Sequence, residues 1–193
     1  MLALWRSPLS RAIHRNRSQP HSRYFQLATV TPEGYPANRT VVFRGFLDDQ
    51  ENRLKIISDA RSAKIQDIMH QSRAEICWYF VKTREQFRIM GNLQIVNATE
   101  KEQYLQQARQ ETWQNLSDAA RSQFVWPDPA QPLKNKSNFA VKPPDANSPI
   151  HNFCLLILTP QKVDHLQLRD DPQTRCLYIL QTDQTWSTQQ VNP

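Results

Sequence analysis

The sequence predicts a mainly β fold (α+β), in which a barrel of short antiparallel strands is flanked by helices. Three observations indicate it. Short runs of alternating apolar and polar residues recur along most of the chain. Only a few segments have helical spacing, and a proline-rich loop occupies residues 126–150. The 193 residues suffice for one well-buried core. Antiparallel strands with helices outside them favour a barrel.

The strands alternate with turn residues along the chain. The first two form a predicted hairpin, because Gly34 in the turn between them can adopt a positive φ. Gly91 lies inside a long strand and indicates a bend or bulge, as barrel closure requires. The predicted strands are Arg23–Thr31, Asn38–Phe46, Leu54–Ser58, Ala74–Phe80, Gln86–Asn97, Phe153–Leu158, Lys162–Leu168, Arg175–Leu180 and Thr185–Val191.

Four helices are predicted around these strands. Ser7 and Pro8 suit the first turn of an N-terminal helix, and residues 61–71 have helical spacing. A capping box at Thr99 opens a helix to about Glu111, and Ser117 caps a shorter one over residues 118–124. We expect a single domain over residues 1–193, with an N-terminal helix and lead-in at 1–22 and C-terminal strands at 152–193.

Several classes of function conflict with the composition. Only three glycines occur, so neither a GxGxxG turn nor a P-loop can be formed. Any bound phosphate must therefore be held largely by side chains. The three cysteines and five histidines are scattered, which favours reduced thiols in the cytoplasm and predicts no metal site. No run is long enough to span a membrane, and no catalytic triad or paired carboxylates can be recognised.

The net charge of +6 raises the question of nucleic-acid binding. Five arginines and no acid lie within residues 1–32, yet aromatic residues do not interleave with them, so we predict no nucleic-acid partner. An Arg- and Ser-containing N-terminus could also be an organellar targeting segment. We favour the short amphipathic helix, because strand-like sequence begins at Tyr24.

Two basic segments are candidates for anion binding. Arg39 and Arg44 flank an apolar run in a predicted strand, although both could be solvated on an edge strand. The segment from Ser58 to Lys64 passes from a strand end into a helix, where unpaired N–H groups attract anions. The alternative for this segment is a capped helix with a solvated basic face.

Together these segments resemble the pyridoxamine 5'-phosphate oxidase family. The stretches RYFQLATVTPEGYPANRTVVFRGF, ISDARSAKIQDI and EICWYFVKTREQFRIMGNLQIV are similar to its barrel half, and TRCLYIL with TWSTQQVNP is similar to its closing motif. The likeness is continuous over about residues 23–97 and resumes over 168–193. It implies an FMN-binding split β-barrel and a homodimer with FMN at the subunit interface.

The resemblance also assigns roles to particular residues. It implies that Arg39 binds the FMN phosphate and that Arg44 stands beside flavin and substrate. It implies that Gln86 donates to the pyrimidine edge of the ring and that Arg175 reaches the flavin from the partner subunit. The implied cofactor-binding set is Arg39, Thr40, Val41, Val42, Arg44, Ser58, Arg61, Ser62, Lys64, Gln86 and Arg175.

The chain departs from the family pattern at the substrate side. Ala63 stands where the family has its second phosphate arginine, for which Arg61 could compensate, and Leu166 replaces a tryptophan. The substrate-reading Arg-x-His is replaced by Asp171-Pro172-Gln173, and only an Arg-Ser-Gln echo remains at residues 121–123. We therefore expect an FMN-dependent oxidoreductase with an altered, unknown small-molecule substrate. The alternative is a non-catalytic flavin carrier or sensor, and we disfavour oxidation of pyridoxamine phosphate itself.

Overall fold

The computed structural model describes residues 2–193 and contains eight strands joined into one antiparallel sheet. The order is β2-β1-β4-β5-β6-β7-β8, and β3 pairs with β6. The strands are β1 (Tyr24–Val30), β2 (Pro36–Val42), β3 (Leu54–Asp59), β4 (Arg73–Phe80), β5 (Glu85–Val96), β6 (Phe153–Gln167), β7 (Thr174–Leu180) and β8 (Trp186–Val191). The predicted mainly β architecture is confirmed.

The chain between β2 and β3 closes this sheet into a barrel. After Val42 it leaves β1, and Gly45 adopts a φ of +103°. The backbone N–H of Arg44 then donates to the carbonyl of Lys55 on β3, and the N–H of Lys55 donates to the carbonyl of Gly45. The predicted strand Asn38–Phe46 is therefore two segments with a bend between them, because its second half pairs with β3 and not with β1.

Strand β6 is twice as long as predicted. The sequence indicated two strands separated at Thr159–Pro160, whereas the structure has one strand that pairs with β3, β5 and β7. The register against β5 shifts between Met90 and Gly91, as the bend predicted at Gly91 requires. A Cβ atom at Gly91 would lie 2.1 Å from the carbonyl oxygen of Thr159. The missing side chain allows β6 to continue past its own proline.

The helices lie outside the barrel: α1 (Arg6–Asn16), α2 (Ala63–His70), α3 (Gln103–Gln114) and α4 (Asp118–Ser122). The cap predicted at Ser117 is confirmed, since its side chain accepts from the N–H of Ala120. The capping box predicted at Thr99 is wrong. The Thr99 hydroxyl donates to Oδ1 of Asn97, and α3 begins only at Gln103. Likewise α1 begins at Arg6 with no side-chain cap.

The core follows the alternation read from the strands. Its aromatic centre is Trp78, whose ring centroid lies 4.9 Å from those of Phe43 and Phe80. Leu9 of helix α1 and Trp5, directly before the helix, are fully buried in the main core. Among the described residues, no helix is long and apolar enough to cross a membrane.

We expect Gly91→Ala to destabilise the protein by about 3 kcal/mol or more, because the new Cβ overlaps the backbone of β6. Urea unfolding of the two proteins measures the difference. Gly34→Ala is the control, since Gly34 has a positive φ of +85° but nothing within 4 Å of its Cβ position, and about 1 kcal/mol is expected there. Equal losses at the two glycines would contradict the close approach at Gly91.

Candidate functional site

A cavity of about 630 Å³ lies where the ends of β2 and β3 meet the start of α2. The proline-rich loop covers its far side. This volume is within the usual range of small-molecule sites. Of the predicted site residues, the cavity brings together Thr40, Val41, Val42, Arg44, Ser58, Arg61, Ser62 and Lys64. Its opposite wall contains aromatic residues and prolines that were not predicted, including Phe124, Trp126, Pro127, Pro129, Pro132 and Phe139.

Three side chains form a polar cradle at the start of α2. Nζ of Lys64 donates to Oγ of Ser58 over 3.1 Å and to Oγ of Ser62 over 2.9 Å. The two hydroxyls lie 3.1 Å apart. Ser62 occupies the N-cap position, but its side chain caps no backbone N–H. The cradle thus combines an ammonium group, two hydroxyls and a helix N-terminus, which are groups that bind phosphate.

The environment of Lys64 disfavours its charge. Burial lowers the pKa of its ammonium group, and the nearby positive charge of Arg39 lowers it further, while Asp59 and Asp67 act in the opposite direction. Among the described residues, the ammonium group donates to serine hydroxyls and to no carboxylate. A bound dianion would supply the missing countercharge.

Arg44 is another cation of the cavity that forms no described ion pair with a carboxylate. Its Nε atom is buried and has no hydrogen-bond partner among the described residues. Burial lowers the pKa of the guanidinium, and the charge of Arg23 adds to this effect. A buried donor without an acceptor is costly, so Arg44 is suited to receive an anionic or carbonyl oxygen.

Arg39 does not line the cavity. Nη1 of Arg39 donates to Oγ1 of Thr29 over 2.5 Å, and Nη2 lies 3.2 Å from Oδ2 of Asp67. The same Asp67 oxygen accepts from Thr29 over 2.6 Å. Asp67 is on α2 and is buried, so this ion pair fixes the helix to the barrel. In the structure Arg39 acts on the cavity through its charge near Lys64.

Arg61 lines the cavity but uses its donors on the protein. It forms ion pairs with Asp59 and with Asp128, both at 2.7 Å. Nη1 also donates to the carbonyl of Trp126 and Nη2 to that of Phe124. These acceptors use the donors that Arg61 would need in order to replace the family's second phosphate arginine. These carboxylates raise its pKa above the ordinary value.

Gln86 and Arg175 lie far from the cradle, on the outer face of the sheet. Gln86 is directly opposite Leu166, and Leu166 is opposite Arg175, so the three side chains share one face. Arg175 forms a two-pronged ion pair with Asp164, with distances of 2.9 and 2.7 Å. This contact holds the pKa of the Asp164 carboxyl below its usual value. One chain thus presents two separate groups of predicted site residues.

The acidic partners were missed because no local pattern marks them. Asp67 and Asp128 are 28 and 67 residues from the arginines they bind, so only the folded chain brings them together. Trp126 and Phe139, whose ring centroids are 5.6 Å apart, belong to a loop recognised only by its prolines. Among residues 2–193 no group of His, Cys, Asp and Glu side chains could hold a metal ion.

We expect the free energy of unfolding of the ligand-free protein to rise with pH, relative to Lys64→Met, as the pH approaches the ordinary lysine pKa of 10.5. The folded protein lowers the pKa of Lys64 below this value, so the unfolded chain binds more protons there. Stability then increases with pH, and the variant lacks this contribution. Urea unfolding at several pH values measures it. A difference in the free energy of unfolding that does not change with pH would show that the folded protein does not destabilise the charged form of Lys64.

Comparisons with known proteins agree with this geometry. The family model described as pyridoxamine 5'-phosphate oxidase, FMN-binding domain, matches residues 2–97. A pyridoxine/pyridoxamine 5'-phosphate oxidase 2 of Arabidopsis thaliana is 38% identical over 196 residues, which cover 100% of this chain and 98% of the relative.

Two solved structures have the same fold. A pyridoxamine 5'-phosphate oxidase-related, FMN-binding protein of Nostoc punctiforme is 54% identical, with a TM-score of 0.96 and full coverage of both chains. PhzG of Burkholderia lata is 17% identical, with a TM-score of 0.77 and coverage of 97% and 91%, so it supports the fold alone. The sheet, the cradle and these likenesses lead to one conclusion: the chain belongs to the pyridoxamine 5'-phosphate oxidase-like family of FMN-binding split-barrel proteins.

Proposed function

We propose that this protein binds FMN in the cavity and is a flavin-dependent oxidoreductase with a substrate site different from that of pyridoxamine 5'-phosphate oxidase. The observation that carries the proposal is that two partly buried cations of the cavity, Lys64 and Arg44, form no ion pair with a carboxylate of the described residues. Bound FMN would supply hydride transfer to or from a substrate carbon or a nicotinamide. The protein supplies binding, orientation and electrostatics.

The residues present fit the cofactor. The cradle of Ser58, Ser62 and Lys64 suits the phosphate and the ribityl hydroxyls, while Arg44 suits a carbonyl or a developing negative charge on the ring. Val42 lines the same cavity and offers an apolar surface to the flavin ring. Arg39 is a phosphate ligand on the resemblance alone; in the structure it supports the cradle from behind, through Asp67.

The substrate side supports a departure from the oxidase. The segment Asp171-Pro172-Gln173 offers no cation where the family has Arg-x-His. Arg121 is buried and does not line the cavity; it donates to the main-chain oxygen of Leu116 and pairs with Asp118, so it is not free to bind a phosphate ester. A substrate phosphate would therefore find few donors here, and a substrate with less negative charge fits better.

A non-catalytic flavin carrier or sensor is the second candidate. The loss of the substrate-reading residues favours it, because a protein that only holds FMN needs none of them. To separate the two, the purified protein is loaded with FMN, the flavin is reduced, and reoxidation and reduction are followed with oxygen, amines, nicotinamides and pyridoxamine phosphate. Turnover with any donor supports the enzyme, whereas reduction by none supports the carrier. A protein that stays colourless with added FMN would refute both.

We also propose a homodimer in which the partner completes the flavin site. The outer face of β4 to β7 is open and partly apolar, with Tyr79, Met90 and Ile179 each about two-fifths exposed. Gln86 and Arg175 lie on this same face, away from their own cradle. Pairing two such faces buries the apolar residues and allows Gln86 and Arg175 to serve the partner's flavin.

We expect Lys64→Met to raise the dissociation constant of FMN about 10- to 100-fold, because a charge-assisted contact to the phosphate is lost. Quenching of flavin fluorescence on binding measures the constant. Lys134→Met is the matched control, since Lys134 lines the loop side of the same cavity, and less than about a threefold change is expected there. Equal effects of the two substitutions would mean that the phosphate is not held by the cradle.

We expect Met90→Lys to weaken dimerisation at least about a hundredfold, because it replaces an apolar side chain with a positive charge from each subunit in the proposed interface. FMN affinity should fall with it. Sedimentation velocity gives the oligomeric state, and Met69→Lys is the control, since Met69 is exposed on α2, away from the open face. A dimer that survives Met90→Lys but not Met69→Lys would place the interface elsewhere.

A further inference from the structure

Arg61 connects the barrel to residues 126–128, and no other described hydrogen bond joins residues 126–140 to the barrel. A guanidinium group has five N–H donors. Nε and Nη2 both donate to the carboxylate of Asp59, at 2.9 and 2.7 Å. Nη1 donates to the carbonyl of Trp126 and to Asp128, and Nη2 donates to the carbonyl of Phe124. All five donors have protein acceptors, and none is left for a flavin phosphate.

The two parts differ in rigidity. Asp59 ends β3, where it is paired with Phe153 of β6, so it belongs to the barrel. Residues 126–140 form mostly irregular loop, and their other hydrogen bonds within the described chain are local, such as that from the N–H of Asn138 to Asn135. Arg61 is thus the polar anchor of this loop on the barrel.

The anchored loop forms the aromatic wall of the cavity, which we define as Trp126 and Phe139. Their rings pack edge to face. Both line the same cavity as Lys64 of the cradle, and Nε1 of Trp126 is buried with no hydrogen-bond partner among residues 2–193. The position of the aromatic wall decides how much of the cavity is open to solvent. It therefore depends on the contacts that Arg61 makes.

We propose that Arg61 is a positioning residue, a latch that holds the aromatic wall over the cavity, and that it is not a flavin ligand. The proposal rests on the proposed function for its effect on flavin, but the latch itself requires no bound group. One arm of the latch is suited to release. Asp128 is 66% exposed on its side chain, against 18% for Asp59, so the loop arm is screened by solvent and the barrel arm is not.

The loop contains two sites at which trypsin reports its mobility, Lys134 and Lys136. The experiment compares wild type, Arg61→Gln and Lys64→Met without FMN, with the cleaved fragments identified by mass spectrometry. Release of the latch should speed cleavage after these two lysines at least about tenfold in Arg61→Gln, because cleavage follows the open population. Lys64→Met should cleave like wild type, since the described hydrogen bonds of the Lys64 ammonium group go to Ser58 and Ser62 and not to the loop.

The affinity for FMN should separate the same variants in the opposite way from cleavage, because Lys64→Met should lose affinity and Arg61→Gln should keep it. Arg61→Gln should bind FMN within about threefold of wild type, while iodide should quench its flavin fluorescence several-fold more strongly, because the wall no longer shields the ring. Arg61→Lys keeps the charge but has only three donors. We expect it to restore less than half of the protection from trypsin.

Three results separate the possibilities. A large loss of FMN affinity in Arg61→Gln, recovered in Arg61→Lys and without faster cleavage, would overturn the latch and make Arg61 a flavin ligand. Unchanged cleavage and unchanged quenching would also overturn it. If wild type itself fails to bind FMN, the proposed function fails, yet faster cleavage of Arg61→Gln would still support the latch.

Discussion

Strand β6 is the element on which both parts of the proposed site depend. Its first half pairs with β3 and β5, and its second half pairs with β5 and β7. The first half positions Ser58 and Asp59 next to the cavity, while the second half positions Arg175 on the open face. Gly91 makes this continuity possible, because any side chain there would collide with Thr159. One missing methyl group thus sets the spacing between the two groups of site residues.

Barrel closure contributes the next constraint. The backbone of Arg44 and Gly45 pairs with Lys55, and this pairing turns the side chain of Arg44 to the cavity. Had residues 38–46 continued as one flat strand, Arg39 and Arg44 would point to opposite faces. With the bend, Arg39 pairs with Asp67, and Arg44 lines the cavity. The same bend therefore decides both how the backbone pairs with β3 and which of the two arginines lines the cavity.

The sequence predicted the architecture well and the partners of the charges poorly. Strand alternation, the bulge at Gly91 and the cap at Ser117 depend on local chemistry, so they could be read before folding. The capping box at Thr99 was wrong because Asn97, two residues away, competed for the hydroxyl. The two short strands around Pro160 merged because tertiary pairing overrode a local break signal.

For the site, residue type alone could not distinguish free from paired cations. Arg39, Arg61 and Arg175 all looked available, yet each pairs with an aspartate from another part of the fold: Asp67, Asp128 and Asp164. Asp67 is 28 residues from Arg39, and Asp164 pairs with Arg175 across two strands. Such pairings follow from strand order and register, which a single sequence does not reveal. Lys64 and Arg44, which form no described ion pair with a carboxylate, kept the character that the sequence suggested.

This distribution of partners has a consequence for binding. A cation that already has a carboxylate gains little from a new anion, since the carboxylate must be displaced or left unpaired. An unpaired, partly buried cation gains much more, because its desolvation has not been compensated. Anion binding in the cavity should therefore be concentrated at the cradle and at Arg44. The paired arginines hold helix α2, the aromatic wall and the open face in the positions that binding requires.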